Sequence, residues 1–194
     1  MSTAWGHRPL LKTPAVKSDA VARNASERKM VLQPGIETTV IPGLPVKFTW
    51  CNDKGSTFTL KDSKSQKIFE KDVTRRLELF VTPEELGLKY PENYTWEITG
   101  IEKIKGNVIK ILSPDQAAII KKGLNKIEAE KLATGEKTLK KAAYLQFVSD
   151  IFPDDMNLDW LSYQLLTDDA EKQDTLDQQA VELLKSNIQY TTCE

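Results

Sequence analysis

Histidine is almost missing from this chain: His7 is the single one in 194 residues. It lies in a stretch without a sustained hydrophobic period, so a Ser-His-Asp or Cys-His nucleophile would have to be built on that stretch. Cysteine is scarce as well. Cys51 and Cys193 are the two, and Cys193 is next to last. Zinc sites of the Cys/His type therefore lack ligands, a disulfide framework is not expected, and the cysteines do not indicate a compartment. Neither GxxxxGK[ST] nor GxGxxG occurs, which excludes the familiar phosphate-cradling loops. No apolar run approaches the ~20 residues needed to cross a bilayer. The first twenty residues, MSTAWGHRPLLKTPAVKSDA, mix Trp, Leu, Pro and Lys without the apolar middle of a signal peptide. The expectation is a cytoplasmic protein, or a periplasmic or envelope-associated one whose export segment is missing from this chain.

Charge of one sign does not dominate. The net charge is −1, with 40% apolar and 28% charged residues, close to soluble globular averages. No global field draws the chain to nucleic acid or membrane. The distribution is uneven. Residues 1–31 carry six Lys or Arg against two acids, and residues 150–194 carry eleven acids against Lys172 and Lys185. This reads as a basic tail and a solvated acidic helical face, or as an acidic docking surface for a basic partner. Lys121–Lys122 and Lys140–Lys141 make basic spots, the second near Tyr144. The acidic segment beside them opposes a phosphate backbone, so nucleic-acid binding is not expected.

What is present divides the chain in three. Residues 1–28 read as an extended or disordered arm, with Trp5 as its one residue suited to docking. Residues 29–112 carry short segments of period two: Val46, Phe48 and Trp50; Phe58 and Leu60; Leu77, Leu79 and Val81; Tyr94, Trp96 and Ile98; Ile109 and Ile111. Such alternation marks half-buried antiparallel strands. Turn residues separate them, including KDSKSQK at 61–67. TPEELGL at 82–88 reads as one helical turn capped by Thr82. Residues 113–194 read as a helical domain of three or four helices. Ser113, Pro114 and Gln116 form a capping-box start for the first, with Ala117, Ile120, Leu124 and Ile127 as its apolar stripe. Gly135 is expected to end it. The second carries Leu139, Ala143 and Phe147 and stops before Pro153. The third starts near Asn157 with Leu158, Leu161 and Leu165. The fourth carries Leu176, Ala180 and Leu183.

In LKYPENYTWEI, residues 88–98, a proline turn leads into a tyrosine that opens a strand. This is the layout of a tyrosine corner, in which the phenol hydroxyl reaches back to a backbone group upstream. Together with ERKMVLQPG and LPVKFTW, it resembles bacterial Ig-like or fibronectin type III-like domains over roughly residues 29–112. The spacing departs from their pattern by one residue, since Pro91 lies three after Leu88. The whole layout, with KKAAYLQFVSDIFPDD at 140–155, is also similar to an uncharacterised cyanobacterial envelope-associated family. The resemblance implies an α+β chain: an antiparallel Ig-like β-sandwich followed by a small C-terminal helical bundle. It brings no catalytic residues with it.

The best mimic of a metal site is DMNLD. Asp155, Asn157 and Asp159 begin like a calcium loop, but Trp160 stands where glycine should and Leu166 where a bidentate Glu should. An acidic helix N-terminus explains these residues. No catalytic, cofactor or metal residue is therefore expected. The expected function is a non-catalytic protein-interaction or scaffold module, part of a bacterial envelope or secretion-type assembly. The alternatives are a regulatory or sensor module whose helical part binds a peptide, and then a carboxylate-dependent enzyme. The expected partner is a protein. Its candidate contacts are Trp5, Arg8, Lys12 and Lys17 in the arm, and Asp154, Asp155, Asp159, Asp168 and Asp169 at the acidic end.

Overall fold

In VKFTW, branched and aromatic side chains on one side alternate with Lys and Thr on the other, so a strand can bury one face and wet the other. The computed structural model, which describes residues 32–34, 37–50, 54–100, 107–167 and 177–186, places this segment as a strand with Val46, Phe48 and Trp50 buried. The strands are β1 (Leu32–Gln33), β2 (Thr38–Val40), β3 (Val46–Trp50), β4 (Thr57–Lys61), β5 (Lys67–Asp72), β6 (Glu78–Val81), β7 (Asn93–Thr99) and β8 (Val108–Ile111). Four helices follow among the described residues: α1 (Pro114–Glu128), α2 (Thr134–Ile151), α3 (Asp159–Thr167) and α4 (Gln178–Ser186). The chain is α+β.

The strands form two sheets, one ordered β1-β3-β6 and the other β2-β8-β7-β4-β5. All pairings are antiparallel except β2 with β8, which is parallel. Both sheets feed one core. Phe48 of β3 meets Phe58 of β4 and Trp96 of β7 edge-on, with ring centroids 4.9 and 5.0 Å apart, and Phe58 stacks on Trp96. Aromatic pairs in these geometries add about 0.5–1.5 kcal/mol beyond the area they bury. Trp50 finishes the wall, its indole N–H donating to the Arg76 carbonyl at 2.7 Å.

The corner forms as LKYPENY suggests. The Tyr94 hydroxyl accepts from Lys89 N at 2.7 Å and lies 3.2 Å from the Glu92 carboxylate. The Tyr90–Pro91 peptide is cis. Thr82 also caps its turn: Glu85 N donates to the Thr82 hydroxyl, and Thr82 N donates to the Glu85 carboxylate at 2.7 Å.

Several strand expectations need correction. Leu77 lies outside β6 and is half exposed, because Trp50 N binds its carbonyl and turns the side chain out of the alternation. Strand β5 has no apolar alternation to announce it. It is an edge strand held by backbone pairing to β4, and only Phe69 reaches the core. The Asp62 carboxylate accepts from Lys64 N and Gln66 N and folds the hairpin between β4 and β5. Strand β2 is buried at all three positions and runs parallel to β8, not antiparallel. It has no alternation because it is covered on both faces, which is the rule for parallel pairs.

Helix α1 starts as the sequence dictates. Gln116 N donates to the Ser113 hydroxyl, and Ser113 N donates to the Gln116 side chain. Its end is different. The helix stops at Glu128, and Gly135 lies buried in the first turn of α2 rather than closing α1. The face of α2 is different too. Ala143 and Phe147 point to solvent, and the buried side is Thr138, Ala142, Leu145, Gln146, Val148 and Ser149. A polar face is buried because its groups find partners. Gln146 Nε2 donates to the Ser162 hydroxyl at 3.0 Å and to the Leu184 carbonyl at 3.1 Å, and Ser162 donates to the Ala142 carbonyl. This network joins α2, α3 and α4. Leu165 and Leu183 are likewise exposed, with Leu166 and Val181 in their places in the core. Leu176 lies outside the described residues.

Helix α3 lies against the strands. Trp160 packs in the inter-sheet core, and its indole N–H donates to the Lys47 carbonyl at 2.8 Å. The Gln164 amide accepts from Lys47 N and donates to the Pro45 carbonyl. Just before α3, Asn157 N donates to the Thr39 hydroxyl, and Thr39 N donates to the Asn157 carbonyl. These contacts settle where the helices stand relative to the loop before β3.

Candidate functional site

Helices α1, α2 and α3 and the loop before β3 enclose a groove of about 560 Å³. The loop holds its shape because Leu44 N donates to the Ile41 carbonyl and Gly43 takes a φ of +76°, a left-handed value that suits glycine. Its far end is pinned by Gln164 on the Pro45 carbonyl. Leucines make the floor, Leu124 from α1, Leu145 from α2 and Leu161 from α3, and the exposed Leu165 of α3 stands at the edge. Their spacing follows from helical periodicity, since one apolar side per helix turns toward the shared interior.

The rim is charged. Glu128 of α1 faces α2, where Lys141 hydrogen-bonds it and Lys137 approaches at 3.5 Å. The hydrogen bond from Lys141, then the two ammonium charges, hold the Glu128 carboxyl below its ordinary value. On the other side, the Lys121 ammonium lies against Gly43, so close that a Cβ there would stand 3.2 Å from it. Lys121 makes no ion pair among the described residues. The rim thus has more positive than negative charge. A cleft of this size with an apolar floor and few polar groups is the usual form of a binding site.

The approach of α1 to α2 that shapes the groove depends on Gly123. The ring of Tyr144 lies directly over it, where a methyl group would collide with the ring carbons and hydroxyl.

The residues singled out in the sequence fall elsewhere. Trp5, Arg8, Lys12, Lys17, Asp168 and Asp169 lie outside the described residues. Asp154 and Asp155 are exposed on the turn after α2 and border a small cavity of about 70 Å³ with Glu37 and Lys110. Asp159 is apart from them, half-buried in the first turn of α3. Burial raises its carboxyl above the ordinary aspartate value, against the hydrogen bond from Ser149, and the Asp150 charge adds to the rise. Within the calcium-like triplet the Asn157 side chain is engaged locally, its oxygen accepting from Asp159 N at 3.1 Å. Among the described residues no group of three or more His, Cys, Asp or Glu could hold a metal ion, and no helix is long and apolar enough to cross a membrane.

The groove itself was not legible in the sequence. Its one signal was the pair of basic spots, of which Lys121 and Lys141 face the groove, while Lys140 pairs outside it with Glu130.

No model of a known protein family matches the chain, and no curated protein matches it. Among solved structures, a strand-swapped dimer of the extracellular domain of mouse leukocyte-associated immunoglobulin-like receptor 1 is similar at 13% identity, covering 45% of this chain and 91% of that one with a TM-score of 0.28. At that TM-score the likeness carries no argument about function.

Proposed function

We propose that the protein is a non-catalytic interaction module in which an Ig-like sandwich supports a helical part that binds a segment of a partner protein. The strand order supports the Ig-like reading. One sheet is β1-β3-β6, and the other places β8, β7 and β4 side by side, as in immunoglobulin-type sandwiches, and Tyr94 stands at the corner. The observation that carries the functional reading is the groove: 560 Å³, floored by leucines and rimmed by lysines. Peptide recognition by helical folds uses such grooves, with an apolar anchor below and charges at the edge. The resemblance of the layout to an envelope-associated family suggests that the partner belongs to a bacterial envelope or secretion-type assembly.

The test is selection of random displayed peptides on the intact chain, followed by methyl NMR of the enriched binders. Binders should move the methyl signals of Leu124, Leu145, Leu161 and Leu165. Failure to enrich any peptide, or binders that leave these four unmoved, overturns the reading.

A further inference from the structure

We infer that the groove takes an acidic, leucine-bearing peptide segment, with a carboxylate on Lys121 and a backbone amide on Asn125. This rests on the groove being the binding site.

The polar groups around the groove decide the ligand's chemistry, because most of them are already engaged. The Gln164 amide serves Lys47 N and the Pro45 carbonyl. The Thr138 hydroxyl donates to the Thr134 carbonyl. Lys141 is held by Glu128. Two side chains remain without a hydrogen-bond or ion-pair partner among the described residues: Lys121 and Asn125, both of which line the groove. They are four residues apart on α1 and so share one face, a single turn from each other.

Each asks for a different group. An ammonium offers three donors and no acceptor, and its strong partner is a carboxylate. An Asn side chain offers a donor and an acceptor together, which the N–H and C=O of one extended peptide residue match. Leu124 lines the groove beside them, where an apolar side chain loses water. A carboxylate, an amide and an apolar side chain about one turn apart describe a short peptide. A fatty acid supplies the first and third but makes no use of Asn125, which stays exposed to water. Nucleic acid is disfavoured because, among the described residues, no aromatic side chain lines the groove for stacking.

The experiment uses the intact chain and three fluorescein-labelled decapeptides that share two central leucines. Aspartates flank the leucines in the first, asparagines in the second and lysines in the third. Anisotropy at low salt should rank them in that order, with roughly a fivefold preference for the aspartate peptide over the asparagine one, a gap that shrinks in salt. Lys121→Gln should abolish the gap. Lys122→Gln, which removes the same charge from a position outside the groove lining, should keep it. Equal binding of all three peptides, with the groove methyls still moving, overturns the acidic assignment and leaves the groove reading standing. If decanoate displaces the aspartate peptide and itself binds more tightly, the ligand is a small carboxylate and the peptide assignment falls. If no peptide moves the groove methyls, both fall.

Discussion

The indole N–H of Trp160 donates to the carbonyl of Lys47 across 113 residues of sequence, at 2.8 Å. The helix thereby puts its largest side chain into the core that the two sheets share. Strands and helices should then unfold together. Tryptophan fluorescence and far-UV circular dichroism should give one coincident urea transition. Trp160→Ala should lower stability by about 3–5 kcal/mol, and Trp160→Phe by about 1–3 kcal/mol, the range for a buried carbonyl that loses its donor. Two separated transitions in the parent chain would show that the parts fold independently.

Tyr94→Phe removes a hydroxyl and nothing else. Lys89 is exposed, so water can replace the lost acceptor on its N–H. The expected loss is about 1 kcal/mol, the middle of the range for a hydrogen bond that solvent can partly restore. It should shift the urea midpoint and leave the slope alone. A loss above 3 kcal/mol would mean that the corner does more than tie one turn.

Gly123→Ala has two opposed effects. Alanine in a helix interior is favoured over glycine by about 1 kcal/mol, whereas overpacking against the Tyr144 ring costs about 1–3 kcal/mol. The ring contact should win, and the variant should melt lower than the parent. In a Tyr144→Ala background the collision is gone, so the same substitution should become stabilising. A double-mutant cycle reads the reversal. The same sign in both backgrounds would disprove the close approach.

Asp159 predicts a pH dependence. Burial raises its carboxyl above the ordinary aspartate value of 3.8, so the folded chain holds this proton more tightly than the unfolded one. Protonation therefore favours folding. The contribution is present at low pH and is lost as pH rises from 3.8 through the folded-state value. Asp159→Asn keeps a neutral group that can still meet Ser149. Its melting temperature relative to the parent should rise across that window and then level off. A difference that falls with pH would mean that the Ser149 hydrogen bond and the helix N-terminus outweigh burial.

Much of the local structure was legible in the sequence. Val46, Phe48 and Trp50, and Tyr94, Trp96 and Ile98, alternate because a half-buried strand has a period of two residues. Ser113, Pro114 and Gln116 mark a helix start because they satisfy its free N–H groups within four residues. The tyrosine corner closes over five residues. In each case the determining interactions lie within a few residues, so their chemistry is written side by side.

The rest was settled by partners far away in the chain. Nothing local marks β5, an exposed edge held by pairing to β4. Nothing local turns Phe147 outward and Gln146 inward on α2. That choice follows from Ser162 and Leu184, which supply the polar partners. The groove forms where Gln164 ties the loop before β3 to α3 and where Gly123 lets α1 approach Tyr144. Periodicity assigns a residue to a face of its own element. Which faces meet, and what space they leave between them, depends on long-range packing that no short stretch of sequence contains.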